Sequence, residues 1–185
     1  MLNLTSYTHM SELRKSNTDY AYFITLTVVG WVDVFTRKEY CDIILKNLNY
    51  CQVNKGLEIY AYVIMPSHLH LVARHQGGKL NEVLRDFKSF TSKAIIKSIE
   101  ESTCESRKEW LIYLFKYFGK KYKQNKVYMF WQKTNHPIEL FSSKVIEQKI
   151  EYVENNPVAA CIVDSSENFI YSSASKFSVL TVIGA

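Results

Sequence analysis

Periodic patterning begins at Tyr20. In "YAYFITLTVVGWVDVF", β-branched and aromatic residues interleave with threonines. Ile24, Leu26 and Val28 fall on one side, and Thr25 and Thr27 on the other. That pattern predicts a strand with one apolar and one half-polar face. The period then changes. In "TRKEYCDIILKNLNYCQVNKG", Ile43, Ile44 and Leu48 fit a helical stripe, with Thr36 and Glu39 as an N-terminal capping pair and Gly56 as the stop. "LEIYAYVIM" and "LHLVAR" predict two more strands, joined by the tight turn "PSH" into a hairpin. "GGKLNEVLRDFKSFTSKAIIKSIEES" predicts a long helix whose inner stripe is Val83, Phe87, Phe90 and Ala94. Arg85, Ser89, Lys93 and Lys97, each four residues apart, form a basic ridge on another of its faces.

"RKEWLIYLFKYFG" predicts a further helix, "VYMFWQ" a fourth strand, and "SSKVIEQKIEYVENNP" a last helix stopped by Pro157. Residues from about 1 to 18 are polar and expected to be loosely held. The tail from 158 to 185 is serine-rich with scattered apolar residues, and its pattern assigns it no element. Strand, helix, strand, strand, helix, strand is the order of a ferredoxin-like (RRM-like) split βαβ fold of the α+β class. Such a fold has an antiparallel sheet with two helices on one face, and leaves the other face open or covered by something later in the chain, such as the last helix. The 185 residues suit one domain with a real core.

Composition narrows the classes. With 47% apolar and 22% charged residues the chain reads as an ordinary globular protein. A formal net charge of +5 is compatible with a polyanionic partner without requiring one. The greasiest run, "YFITLTVVGWV", is broken by threonines and is not a membrane span. The start, "MLNLTSYTHMSELRKS", lacks the apolar core of a secretory signal. Cys41, Cys51, Cys104 and Cys161 are scattered, with no Cys-x-x-Cys pair, which points to reduced thiols and a cytoplasmic location.

Three groups of residues carry chemistry. In "YAYVIMPSHLHLVAR", His68 and His70 are two apart on a strand and so project to one side, with Leu69 and Leu71 opposite. Two imidazoles side by side are a natural bidentate metal platform, although on spacing alone two surface histidines on a half-exposed strand are the commoner case. In "KIEYVENNPVAACIV", Tyr152 and Asn156 share a helical face, offering a nucleophilic hydroxyl and a cation-binding amide. By default these are a packing tyrosine and a helix stop. From Lys116 to Lys126, "KYFGKKYKQNK" holds five lysines and no acid, with Tyr117 and Tyr122 interleaved. That mixture suits single-stranded or hairpin nucleic acid as well as it suits a solvated loop.

In combination these motifs resemble one family. "YVIMPSHLHLV" is similar to the His-hydrophobic-His signature of the HUH single-strand endonucleases, in the version carried by single-tyrosine transposases. "FWQKTNHPIEL" followed by "IEYVENNPVAACIV" resembles the REP-associated tyrosine transposases, with a Trp-Gln pair and a tyrosine four residues before Asn-Pro. The resemblance runs from about residue 20 to about residue 175. One position departs from it: the acidic residue that often precedes a histidine after Trp-Gln is here Asn135, before His136, and His136 is assigned no role.

The resemblance implies that His68 and His70 hold a divalent ion, magnesium or manganese, with Asn156 as third ligand. It implies that Tyr152 is the nucleophile, on a C-terminal helix laid over the histidine face. The activity implied is cleavage and rejoining of single-stranded DNA beside hairpin-forming repeats through a 5′-phosphotyrosine. Acid pH is expected to reduce activity as the histidines protonate. Arg85, Lys93, Lys97, Lys116, Lys120, Lys121 and Lys123 are the candidates for contact with the DNA backbone, on grounds of charge. The chain acts as a monomer or a homodimer. The main rival is a non-catalytic hairpin-binding protein derived from such a transposase. A hydrolytic metalloenzyme without the tyrosine is another, as is an RNA-binding module of the same fold, which would want exposed aromatics where the third strand offers histidines.

Overall fold

The structure, a computed structural model, describes residues 20–121 and 127–185. Residues 1–19, which include the start expected to be loosely held, and Lys123 lie outside the described residues. Four strands, β1 (Ala21–Thr27), β2 (Leu57–Met65), β3 (His68–His75) and β4 (Ile138–Leu140), form one antiparallel sheet in the order β2-β3-β1-β4. The helices are α1 (Lys38–Lys55), α2 (Leu80–Glu101), α3 (Lys108–Lys121), α4 (Ser143–Glu154) and the single turn α5 (Asn156–Ala159). This is the ferredoxin-like α+β arrangement that the order of elements predicts.

Side-chain alternation builds two cores, one on each face of the sheet. Tyr22, Ile24 and Leu26 of β1 and Leu69 and Leu71 of β3 join Tyr40, Ile44 and Leu48 of α1 and Val83 and Phe87 of α2. The opposite parity, Phe23 and Val72 with Tyr60, Ala61, Val63 and Met65 of β2, packs under Val153 of α4. Tyr60 and Ala61 share that face because β2 bulges between Ile59 and Ala61. α4 is capped by Ser142, whose hydroxyl accepts the Val145 N–H, and lays Ile146, Ile150 and Val153 on the sheet.

The hairpin of β2 and β3 turns through Pro66 and Ser67, and Gly56 ends α1 in the left-handed conformation, both as predicted. Five other expectations are corrected. The first strand ends at Thr27, because Gly30 (φ 67) and Trp31 (φ 56) throw the chain into a left-handed turn. Thr36 does not cap α1; its hydroxyl donates to the Asp33 carbonyl, and Arg37 holds the cap position. Phe90 is exposed and Ala94 half-buried. The inner stripe of α2 runs instead through Thr91, whose hydroxyl donates to the Phe87 carbonyl and accepts the Trp131 indole N–H at 3.0 Å. "VYMFWQ" is not a strand. It follows β1 through backbone bonds from Val29 to Phe130 and from Gln132 to Thr27, and regular pairing begins only at β4. Finally, Pro157 does not stop the last helix; α4 ends at Glu154 and Pro157 sits in the first turn of α5, where its missing N–H costs nothing.

The tail, which the pattern left unassigned, runs along the free edge of β2. Ile64 donates to Tyr171, Ser173 to Tyr62 and Ile183 to Ile59, all through the backbone. Tyr62 and Ser178 pair through their hydroxyls, and Leu180 is buried in the core.

Candidate active site

The parity of β3 puts His68 and His70 on the face covered by α4, with ring centroids 4.6 Å apart. Their cross-strand partners on β1 are Thr27 and Thr25, the half-polar face of that strand. The Thr25 hydroxyl lies 2.9 Å from His70 Nδ1, and the Ser67 hydroxyl 3.1 Å from His68 Nδ1. With a proton on each Nδ1 donating to its hydroxyl, both Nε2 lone pairs are left for a ligand. His70 is buried, and burial pushes its pKa down to about 3, helped by the neighbouring His68 and by Lys149. Burial also lowers that of His68. Both imidazoles are therefore neutral at physiological pH, the state in which they bind metals.

α4 brings Tyr152 to the same place. Its ring is 5.8 Å from the ring of His70 and 5.7 Å edge-on from Phe23, which itself stacks on His70 at 5.2 Å. Tyr152 is half exposed, so its hydroxyl end remains open to a substrate. Asn156 stands one turn further on. The two line a surface cleft of about 310 Å³ with Gln148, Glu151, Asn155 and Ala159. Asn156 shares that lining with the tyrosine, and the histidines are not part of it. Among the described residues there is no cluster of three or more histidine, cysteine or acidic side chains able to hold a metal. The ligand set on offer is two neutral nitrogens, with an amide nearby, which fits a hard divalent ion only when oxygen ligands from a substrate complete it.

Two residues escaped the sequence reading. Lys149, one turn before Tyr152, places its ammonium 5.1 Å from the Tyr152 ring and 5.0 Å from that of Phe23. Its position three residues from the tyrosine on one helix was the available signal. Trp31 lies edge-on to His68 with centroids 5.6 Å apart. No sequence signal gives that contact, which depends on the left-handed turn.

The remaining candidates divide by location. Arg85, Lys93 and Lys97 are exposed on α2, whose inner stripe packs on the Leu69 and Leu71 face, so the sheet lies between this ridge and the histidines. Arg85 pairs with Asp86 and Lys97 with Glu101. Lys116, Lys120 and Lys121 are exposed at the C-terminal end of α3. Phe118, near that end, lies beside the turn that carries Trp31, since a Cβ on Gly30 would meet its ring at 3.2 Å. Lys116 lies over Tyr128 and Lys121 over Tyr117. His136 is exposed at φ 41, with Nε2 3.1 Å from the Thr134 hydroxyl. Trp131 and Gln132 are structural, pinning residues 127–140 to α2 and β1. All four cysteines are free thiols. No helix of the described residues is long and apolar enough to cross a membrane.

The sequence matches no protein-family model and no curated protein. Five chains of solved structures share the fold. One is a REP-associated tyrosine transposase bound to a REP hairpin, with a TM-score of 0.62 at 14% identity over 92% of this chain and 82% of that one. At that identity the likeness is one of fold: the four-stranded sheet and helices of this chain are arranged as in that transposase.

Proposed function

We propose that the protein is a metal-dependent tyrosine transposase that cleaves and rejoins single-stranded DNA next to hairpin-forming repeats. The observation that carries this reading is the meeting of Tyr152 with His70, two residues from separate elements, on one face of the sheet. The fold shared with a hairpin-bound transposase supports it. His68 and His70 would hold the ion through Nε2, with Asn156 and the DNA completing its ligands. Magnesium or manganese bound there supplies Lewis-acid polarisation of the scissile phosphate.

The chain's own groups do the rest. The Tyr152 hydroxyl attacks the phosphorus in line, so a tyrosyl Oη–P bond forms as the P–O3′ bond breaks. The tyrosyl proton is lost and the leaving 3′ oxygen gains one. The product is a 5′-phosphotyrosine with a free 3′-hydroxyl. Because the phosphodiester bond energy is retained, attack by another 3′-hydroxyl reverses the step and rejoins a strand. Lys149, with its ammonium 5.1 Å from the Tyr152 ring, would stabilise the negative charge that gathers on the scissile phosphate in the transition state. Tyr152 faces histidines of its own chain, which supports chemistry in cis. Burial lowers the pKa of both histidines, so the acid loss of activity is expected below the ordinary histidine range. A cytoplasmic location would fit this reading, since the four thiols are free and such a compartment keeps them reduced.

The test is incubation with labelled single-stranded hairpin DNA from the repeats flanking the gene, with manganese, followed by a denaturing gel. A covalent band that is lost in Tyr152→Phe and with chelator is expected. DNA retained on a native gel with no covalent band under any metal would leave only hairpin binding. Cleavage that persists in Tyr152→Phe would point to hydrolysis instead.

A further inference from the structure

Trp31 occupies a position that folding alone does not reward. Its side chain is 61% exposed, so the indole recovers little by burial. Its backbone is left-handed (φ 56), directly after Gly30 at φ 67. A bulky residue at positive φ is an outlier, and such strain persists only where the surroundings enforce it. Here they do. Val29 and Val32, on either side, are buried in the core. The Val29 N–H donates to the Phe130 carbonyl at 2.8 Å and the Trp31 N–H to the Val28 carbonyl at 3.1 Å. Gly30 is pressed against the Phe118 ring. The turn is thus fixed on both sides, and it delivers the most exposed of the three tryptophans to one spot, edge-on to His68. A turn alone would be served at lower cost by glycine or asparagine.

We propose that Trp31 is a stacking platform for an unpaired nucleobase of single-stranded DNA, one next to the phosphate held at the histidines. The inference rests on the function proposed above and adds to it the residue that grips the strand. A tryptophan is suited to this because its flat face accepts any base and only two torsions must be frozen. The same turn forms one wall of a second surface cleft, of about 320 Å³, lined by Gly30, Phe118, Gln132, Lys133 and Thr134 among others. An aromatic platform beside a cleft with a polar and basic wall matches a base followed by its sugar and phosphate. Trp31 does not enter the chemistry; it positions the strand.

The test is affinity of the full-length protein for a hairpin with a single-stranded flank, in which each flank nucleotide is replaced in turn by an abasic site. In the wild type, one abasic position should weaken binding about tenfold. Trp31→Ala should lose about the same on intact DNA, and the two losses should not add. Trp31→Phe should keep part of the affinity. Trp31→Gly, which relieves the left-handed strain and so secures folding, should lose the same coupling as alanine. Losses that add at every position, or a Trp31→Ala protein that binds as wild type, would overturn the proposal. Weaker manganese binding by Trp31→Ala without DNA would also overturn it, by making the indole a lid on His68. A wild-type protein that forms no covalent adduct sinks the underlying function and this inference with it. An adduct without coupling at position 31 sinks the inference alone.

Discussion

Lys149 and Thr25 are the two side chains that turn a tyrosine and a histidine into a site. In the proposed reaction, an ammonium 5.1 Å from the Tyr152 ring would stabilise charge in the transition state. Lys149→Met is therefore expected to slow covalent adduct formation about 10- to 100-fold while hairpin affinity changes far less; single-turnover kinetics set against native binding curves will separate the two. The Thr25 hydroxyl, 2.9 Å from His70 Nδ1, orients the ring, and by accepting from Nδ1–H it would leave Nε2 free for an ion. Thr25→Val, nearly isosteric, should raise the manganese concentration needed for half-maximal adduct about tenfold, as loss of a ligand's hydrogen-bond partner does elsewhere. An unchanged manganese requirement would mean that Phe23 stacking alone orients the ring. At this scale the sequence was most informative where chemistry and parity coincide. His68 and His70 must share a face on any strand, and Tyr152 and Asn156 on any helix. Cross-strand partners such as Thr25 require the register of β1 against β3, which hydrophobic patterning does not supply.

The link between α2 and α3 is held by one buried carboxylate. Glu105 accepts from the backbone N–H and Nε of Arg107 at 3.0 and 3.1 Å, pairs with Arg37 at 3.5 Å and lies within reach of the Tyr40 hydroxyl. Burial opposes its ionisation, but the hydrogen bonds and charges of Arg107, together with Arg37, prevail and hold its pKa below the ordinary glutamate value. A carboxyl depressed in the folded state contributes stability above its unfolded pKa and loses it as pH falls through the folded one. Glu105→Gln should thus cost about 2 kcal/mol at pH 7. The deficit should shrink below about pH 4, as urea melts across pH will register. Element types were largely legible because periods of 2 and 3.6 are distinct over long runs. The misplacements share one cause. Where irregular backbone is held by distant partners, as at Gly30–Trp31, at residues 127–137 and in the tail, tertiary contacts override local pattern. Thr91 is the clearest instance, since a polar residue became core once the Trp131 indole arrived to satisfy it.

Across the whole molecule, charge is divided between two surfaces. Lys120 and Lys121 follow Phe118, whose ring lies beside Gly30 and so next to Trp31, whereas the α2 ridge has no such neighbour among the contacts described. If the DNA follows the nearer surface, Lys120→Gln/Lys121→Gln will flatten the dependence of log affinity on log salt by about two units, roughly one per lost phosphate contact. Lys93→Gln will leave it unchanged; the reverse result would route the hairpin across α2. The tail has a further consequence at this scale. Its backbone occupies the hydrogen-bonding edge of β2, yet it is translated after every strand it covers. At about 5–20 residues per second, the 15 residues from Tyr171 to Ala185 take about 1–3 s to make. Throughout that interval a nascent chain presents an uncovered strand edge, a template for pairing with a neighbouring copy on the same message. How soon residues 171–183 follow β2 out of the ribosome thus bears on how long that edge stays open to such pairing.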